Sequence, residues 1–312
     1  MKKNYFSSAA LCGMALLLGT VVTLSSCSAD AEAVMNPSSQ SSGPCAPVRV
    51  RVSDFSMSMD DMSSGGGLTR AAQNPGDYFT SSAMTLAFYD AGGTEVYKTT
   101  QVQGDGTYTT FGEFTANLPV GTYTMVALGY AYYDGDVFFL TSPTAAGFTS
   151  ERPRETFCKT QSVTVTSSAP LDLTVTLNRI VSALDINSTD NRPAGIAKIR
   201  TTYAKGGKAF DPTTGLATSD AGFTQTNTPS AAVGAHIGVS SFPFLATDEE
   251  DIDVTIEVLD AANNVLFTHT ASNVPFKRNR KTILTGNIFT ASASSAAFRF
   301  ETDWLTSETI PF

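Results

Sequence analysis

Short alternating segments separated by turn residues constrain this chain more than any other feature. From Met84 onward, apolar and polar residues alternate over short stretches that end in glycine, proline, aspartate or asparagine. Alternation places the apolar side chains on one face of a strand, and the turn residues favour reversals between strands. Abundant Thr, Ser, Gly and Val, with only 16% charged residues, also favour strands over helices. The sequence therefore predicts an all-β protein.

One strand entry has a specific pattern. Pro119 fixes a φ angle, Gly121 permits a positive one, and Tyr123 opens a strand with its ring inward and its hydroxyl within reach of the backbone. The pattern resembles the transthyretin-like and related immunoglobulin-like β-sandwiches of exported proteins.

The length of the chain accommodates two such domains in tandem. At 312 residues, the chain can bury a core in each domain after a leader and a tether are set aside. A Gly-, Thr-, Ser- and Pro-rich excursion at 205–234 is longer than usual loops and is predicted to hold a short helix or present a variable surface. The predicted divisions are a signal peptide at 1–26, a flexible tether at 27–45, an N-terminal sandwich domain at 46–177 and a C-terminal sandwich domain at 178–312.

The amino-terminal segment is typical of an export signal. Lys2 and Lys3 precede an apolar core at 11–24, which is shorter than the roughly 20 residues that a membrane-spanning helix needs. The sequence LSSC ending at Cys27 resembles the lipobox of bacterial lipoproteins. It implies that Cys27 is diacylated, that the signal is removed and that lipid holds the mature protein on a membrane. The alternative is an ordinary secretory signal with a coincidental cysteine.

The first predicted strand, 46–60, begins with strict alternation. Val48, Val50 and Val52 fall on one face and two arginines on the other, which indicates a half-buried strand. The apolar phase then shifts, and this predicts a bulge near Ser53 and Asp54.

A polar, glycine-rich loop at 63–75 follows this strand. The loop contains Arg70 and is open enough in composition for a protease to enter. The first strand and the body of the domain are therefore predicted to be joined by a segment that can be cut.

Four cysteines are present, and two of them are left for the folded protein. Cys12 leaves with the signal and Cys27 is assigned to lipid. Cys45 and Cys158 form either one disulfide, in an oxidising exported compartment, or two free thiols.

Several function classes are disfavoured. The net charge of -9 argues against a nucleic-acid partner. The only histidines, His236 and His269, lack metal-ligand spacing, so no metal or cofactor is predicted. The acidic run at 248–253 lacks the order of a calcium loop and is interpreted as a solvated strand entry. No nucleophile elbow, P-loop or dinucleotide fingerprint appears, so the chain is predicted not to be an enzyme. The basic run at 277–281 is interpreted as protection of a strand edge.

Two stretches resemble a known family. Residues 175–186, VTLNRIVSALDI, resemble the strand that crosses between the two domains of the fimbrillins, and residues 274–286, VPFKRNRKTILTG, resemble their late strand. Fimbrillins are lipoprotein precursor subunits of donor-strand-assembled, or type V, pili in gut and oral anaerobes. With the lipobox and the loop at 63–75, the match covers most of the chain.

The resemblance implies a route of assembly. In such pili the lipidated precursor reaches the outer membrane, an extracellular protease cuts it after an arginine, and the released first strand leaves a groove that a strand of the next subunit fills. Here the cut falls between Arg70 and Ala71, and the released piece carries Val48, Val50 and Val52. The implied location is the outer-membrane surface and the fimbrium.

A candidate donor strand lies near the carboxyl terminus. Phe298, Phe300 and Trp304 fall on one face of an alternating segment. The implied partners are other pilus subunits in a homo- or heteropolymer, the outer membrane through the lipid, and a host or bacterial surface ligand.

Three alternatives stay open. The first strand and the carboxyl-terminal strand can both be permanent, with Arg70 an ordinary loop residue, as fits an anchor subunit that keeps its lipid or a tip subunit. The chain can be a non-polymerising surface lipoprotein that binds a glycan or host ligand as part of an uptake system. A surface hydrolase would need a clustered pair of acids, which the sequence does not place.

Overall fold

The protein is all-β. The computed structural model describes residues 43–56, 82–133 and 137–290, which form strands and no helix. No helix that could cross a membrane is found in this part of the chain. The strands are β1 (Cys45–Ser56), β2 (Ser82–Tyr89), β3 (Glu95–Val102), β4 (Glu113–Pro119), β5 (Gly121–Ala131), β6 (Phe138–Ser142), β7 (Ala145–Phe148), β8 (Thr156–Val165), β9 (Leu171–Arg179), β10 (Ala183–Ser188), β11 (Lys198–Tyr203), β12 (Ala209–Asp211), β13 (Leu216–Ala217), β14 (Phe223–Asn227), β15 (Gly238–Ser241), β16 (Glu249–Leu259), β17 (Val265–Lys277) and β18 (Lys281–Gly286).

The first half of the chain folds into one curled sheet. Its seven strands are ordered β3-β2-β5-β8-β9-β1-β4. The two outermost strands meet, because the Gln101 side-chain amide donates a hydrogen bond of 2.7 Å to the Glu113 carbonyl and the Tyr97 hydroxyl donates one of 3.2 Å to the Thr115 carbonyl. Apolar side chains from all but the outer strand β3 fill the interior, and they form the first core.

The turn from β4 to β5 follows the predicted pattern with one difference. The Tyr123 hydroxyl donates a hydrogen bond of 2.8 Å to the Pro119 carbonyl, and the Tyr123 side chain is buried. Gly121 does not adopt a positive φ. It is needed for space instead, because a Cβ atom at Gly121 would lie 3.2 Å from the Tyr123 hydroxyl oxygen.

The second half is a sandwich of two sheets. One sheet has the order β15-β10-β18 and the other β14-β11-β16-β17. Their inward faces form a second core, in which the rings of Tyr203 and Phe223 stack with centroids 4.6 Å apart. The hairpin between β16 and β17 turns at Asn263, whose φ of 66° suits asparagine, as the sequence indicates.

A small sheet joins the two halves. Its order is β13-β12-β7-β6, so strands from the first half pair directly with strands from the second. A third apolar cluster lies beside it and includes the stacked rings of Phe210 and Phe244, 4.5 Å apart. The described residues belong to one compact unit, and the division into domains at 177/178 stays a prediction.

Two sequence interpretations need correction. The excursion at 205–234 holds the strands β12, β13 and β14 and no helix. The basic run at 277–281, interpreted as protection of a strand edge, spans the turn between β17 and β18, where Asn279 has a φ of 59°. Its Arg278 guanidinium pairs with the Asp248 carboxylate at 2.6 Å.

Candidate functional site: the first strand

The first strand, β1, lies inside the large sheet rather than at its edge. It pairs in antiparallel register with β4, where Val48 is opposite Ala116, and in parallel register with β9, where Val48 is beside Leu171. Both edges of β1 are therefore hydrogen-bonded. Its removal would leave two neighbouring strands with unpaired backbone groups.

One face of β1 is fully inside the first core. Ala46, Val48, Val50 and Val52 have exposed fractions of 0%, 0%, 1% and 5%. The sequence predicts this inward phase, and the structure confirms it for the three valines. Burying a valine stabilises the fold by roughly 1.5–3 kcal/mol. The strand therefore contributes a substantial part of the first core.

The other face of β1 carries two arginines in weak, exposed ion pairs. The Arg49 guanidinium lies 3.5 Å from the Asp172 carboxylate of β9, and Arg51 lies 3.6 Å from the Glu113 carboxylate of β4. Exposed pairs of this kind contribute about 0–1 kcal/mol. They favour the observed register of β1 but add little to the free energy of unfolding.

The predicted bulge is confirmed. The pairing of β1 with β9 shifts between Val52 and Asp54, and the Ser53 hydroxyl donates a hydrogen bond of 3.4 Å to the Val175 carbonyl. The Val52 amide donates a bond of 2.9 Å to the Gly112 carbonyl. The predicted strand 46–60 is thus observed as Cys45–Ser56 within the described part of the chain.

Several predicted site residues lie outside the described residues. They are the lipidation site Cys27, the processing site at Arg70 and Ala71, and the candidate donor positions Phe298, Phe300 and Trp304. These assignments stay predictions.

The disulfide between Cys45 and Cys158 is not formed. Cys158 is a buried free thiol, and it lies beside Asn178, which pairs with Ser56 at the far end of β1 from Cys45. The two ends of a 12-residue strand are on the order of 30 Å apart. Disulfide-bonded residues need Cα atoms within about 7 Å.

Cys158 instead anchors the excursion onto β8. Its thiol donates a hydrogen bond of 3.4 Å to the Pro212 carbonyl, and the Thr160 hydroxyl donates one of 2.8 Å to the same oxygen. Burial raises the pKa of the Cys158 thiol to about 12. The thiol is therefore neutral and structural at ordinary pH.

A polar network that the sequence analysis did not identify joins the end of β9 to the second half. The Arg179 guanidinium lies 2.6 Å from the buried Glu155 carboxylate and donates a hydrogen bond of 2.9 Å to the Asn279 side chain. Arg179 falls on the inward phase of β9, after Val175 and Leu177. The alternation of Val175, Leu177 and Arg179 is the sequence pattern from which a buried arginine could have been predicted.

A cleft of about 510 Å³ opens beside this network. Three cationic side chains and one carboxylate line it: Lys159, Arg179, Arg278 and Asp248. Among the described residues, no cluster of histidine, cysteine and acidic side chains could hold a metal ion. His236 and His269 each contact a backbone carbonyl instead, those of Ser188 and Ile288.

Comparison with known families assigns the chain. A family model described as a family of unknown function, DUF6562, matches residues 48–310, from within β1 to near the carboxyl terminus. The chain belongs to the DUF6562 family. No curated protein matches the sequence.

Solved structures similar to this DUF6562 protein include proteins from Bacteroides, Parabacteroides and Porphyromonas. A provisionally assigned adhesin from Bacteroides ovatus is 9% identical with a TM-score of 0.49, and the match covers 82% of this chain and 96% of that one. The fimbrial anchor protein Mfa2 from Porphyromonas gingivalis is 9% identical with a TM-score of 0.48, over 83% and 97% of the two chains. The tip fimbrial protein Mfa3 from Porphyromonas gingivalis, solved with a C-terminal truncation, is 12% identical with a TM-score of 0.38, over 84% and 100%.

Proposed function

We propose that this chain is a structural and adhesive subunit of a surface pilus, without catalytic activity, that assembles by exchange of its first strand. It is exported as a lipoprotein through Cys27 and held on the outer membrane. A cut between Arg70 and Ala71 then frees β1, and a strand of another subunit takes its place.

The position of β1 carries this proposal. The strand fills the first core with four buried side chains and pairs on both edges. In the sequence it is followed by the loop at 63–75, which contains Arg70. A strand that lies inside the sheet and is the first of the described strands can be replaced without changing the order of the others.

Energetics favour replacement over an empty groove. Loss of β1 would remove three buried valines, and burial of each valine contributes roughly 1.5–3 kcal/mol. It would also expose the apolar side chains that pack against them and the backbone edges of β4 and β9. Strand addition to an exposed sheet edge restores both the backbone hydrogen bonds and the buried surface. The opened subunit is therefore expected to bind an extended segment tightly.

Controlled proteolysis tests the proposal. The purified full chain is incubated with an Arg-specific protease, and the products are analysed by mass spectrometry and size-exclusion chromatography. We expect one stable cut after Arg70 followed by polymers that resist mild detergent. The matched control is Arg70→Gln, which should be neither cut there nor polymerise. Resistance of the unmodified chain, or a stable monomeric fragment, would count against strand exchange.

The polar cleft favours a second candidate function. Of its cationic side chains, Arg278 is paired with Asp248 and Arg179 with the buried Glu155, so Lys159 is the cation that a ligand would meet. A non-polymerising surface lipoprotein, or an anchor that keeps its lipid, could bind an acidic saccharide there. Binding of a uronic-acid oligosaccharide that is lost in Lys159→Ala, without polymerisation after protease treatment, would support this candidate.

A further inference from the structure

We infer that the groove under β1 selects an incoming strand with small or β-branched inward residues and basic outward residues. The occupant is a strand of another polypeptide that repeats the pattern of β1, rather than residues 298–304 of a second copy of this chain. The inference rests on the proposed function and concerns the chemistry of the strand that the groove accepts.

The inward positions of the groove are small. They hold one alanine and three valines, which are at most 5% exposed. Large side chains from β4, β5 and β8 belong to the same core, including Phe114, Leu118, Met125 and Phe157. Protein interiors are packed as closely as organic crystals, so such positions admit little extra volume.

The Val52 end of the groove is tight for an identifiable reason. The Val52 amide bonds to the Gly112 carbonyl at 2.9 Å, which brings the loop before β4 against β1. At Gly112 even a Cβ atom would lie 3.3 Å from the Met84 sulfur and 3.6 Å from the Val52 carbonyl oxygen. The Gly112 backbone therefore lies directly against the backbone of whatever residue occupies position 52.

The outward positions are lined by acids. Arg49 is beside Asp172 of β9, and Arg51 is opposite Glu113 of β4, each within an exposed ion pair. A basic residue at these positions is favoured, and an acidic one would face a like charge on the adjacent strand. Charge therefore reinforces the selection that size imposes.

The carboxyl-terminal segment does not match this groove. A register that seats Phe298 and Phe300 at two of the positions 46, 48, 50 and 52 places two phenylalanines where the groove holds alanine or valine. In the register that puts them at Val48 and Val50, Arg299 matches Arg49 beside Asp172, but Glu301 takes the position of Arg51 and faces Glu113. Overpacking of a close-packed core is unfavourable, so this segment is expected to bind poorly.

Peptide exchange into the cut protein tests the inference. The full chain is cut after Arg70, and fluorescent synthetic peptides are added: residues 43–56 with Cys45→Ser, the same peptide with V48F and V50F, the same with R49E and R51E, and residues 294–305. We expect the first peptide to exchange, and the two phenylalanine-bearing peptides to bind about tenfold more weakly or worse.

The acidic peptide gives a separate readout. It should bind a few-fold more weakly at low salt, and this difference should vanish at high salt because the charges are exposed. Equal binding of the phenylalanine-bearing peptides would overturn the inference while leaving strand exchange intact. Failure of every peptide to exchange would count against the proposed function instead.

A second measurement tests groove size in the uncut chain. Val50→Phe is expected to lower the ratio of folded to unfolded protein about tenfold or more, whereas the matched control Val50→Ile should be tolerated. Urea unfolding monitored by tyrosine fluorescence and circular dichroism measures both. Equal stability of Val50→Phe and the parent chain would contradict the inference whether or not Arg70 is cut.

Discussion

Arg179 connects the end of β9 to the second half of the chain through its guanidinium. Its guanidinium lies 2.6 Å from Glu155, bonds Asn279 and lies over the Phe157 ring, 5.1 Å from the ring centroid. Arg179→Ala would remove the guanidinium beside the buried Glu155 carboxylate, so we expect a loss of about 3–5 kcal/mol in the free energy of unfolding. Urea unfolding measures this loss.

The matched control replaces both partners. The double variant Arg179→Met with Glu155→Gln removes both charges, and it should recover most of the stability that Arg179→Ala loses. If Arg179→Ala alone lowers the free energy of unfolding by less than about 1 kcal/mol, the buried ion pair does not stabilise the fold as we expect.

Cys158 makes stability depend on pH in the alkaline range. Burial raises the pKa of its thiol from 9.0 to about 12 in the folded chain. Between these values the unfolded chain has lost a proton that the folded chain retains, so the free energy of unfolding falls as pH rises. The expected fall is about 1 kcal/mol over the first pH unit above 9.

The matched variant for this effect is Cys158→Ser, which keeps a donor toward the Pro212 carbonyl and does not titrate in this range. Urea unfolding of both proteins at pH 9 and one unit higher isolates the contribution of the thiol as the difference between the two slopes. Equal slopes would mean that the Cys158 thiol ionises in the folded chain.

The strand β1 has two faces that should respond differently to substitution. Val48→Ala removes buried methyl groups from the first core, and we expect a loss of about 1–3 kcal/mol. Arg49→Gln breaks only the exposed pair with Asp172 and should cost about 0–1 kcal/mol. Thermal unfolding of the uncut chain compares the two, and a larger loss from Arg49→Gln would contradict the orientation of β1.

Sequence reasoning located the longer strands well because alternation is a local signal. The first predicted strand is observed as β1, and the phase shift after Val52 is the observed bulge. The short strands β12 and β13 were missed, since three residues and two residues are too few to show a period. The pairing that places β12 is with β7, a strand far away in the sequence, and β13 pairs with β12.

Part of the candidate site, the inward face of β1, was also predictable because alternation is a local signal. The inward phase of Val48, Val50 and Val52 follows from alternation alone. The place of β1 between β4 and β9 does not, because strand order depends on contacts between residues distant in the sequence. The choice between a Cys45–Cys158 disulfide and free thiols stayed open in the sequence for this reason, because the spacing of two cysteines along the chain does not give the distance between them in the sheet.

At the scale of the whole molecule, the two halves of the chain come into close backbone contact at Gly147 of β7 and Ala209 of β12. A Cβ atom there would lie 2.6 Å from the Ala209 Cα and 2.7 Å from the Lys208 carbonyl oxygen. Gly147→Ala should therefore push β7 away from β12, weaken the hydrogen bond from the Phe148 amide to the Lys208 carbonyl, and destabilise the protein by about 1–3 kcal/mol.

Hydrogen exchange at the Phe148 amide, together with thermal unfolding, measures this effect. Gly43→Ala is the matched control, because a Cβ atom at Gly43 meets nothing within 4 Å. Unchanged protection of the Phe148 amide in Gly147→Ala would show that the sheet between the halves tolerates the added methyl group.

The mature amino terminus of the surface-exposed protein tests the central claim most directly. Mass spectrometry of protein released from the surface of the producing cells identifies that terminus. Strand exchange predicts a chain that begins at Ala71 and lacks β1. A terminus at an acylated Cys27, with β1 still part of the assembled protein, would contradict strand exchange and identify the chain as a permanently anchored lipoprotein.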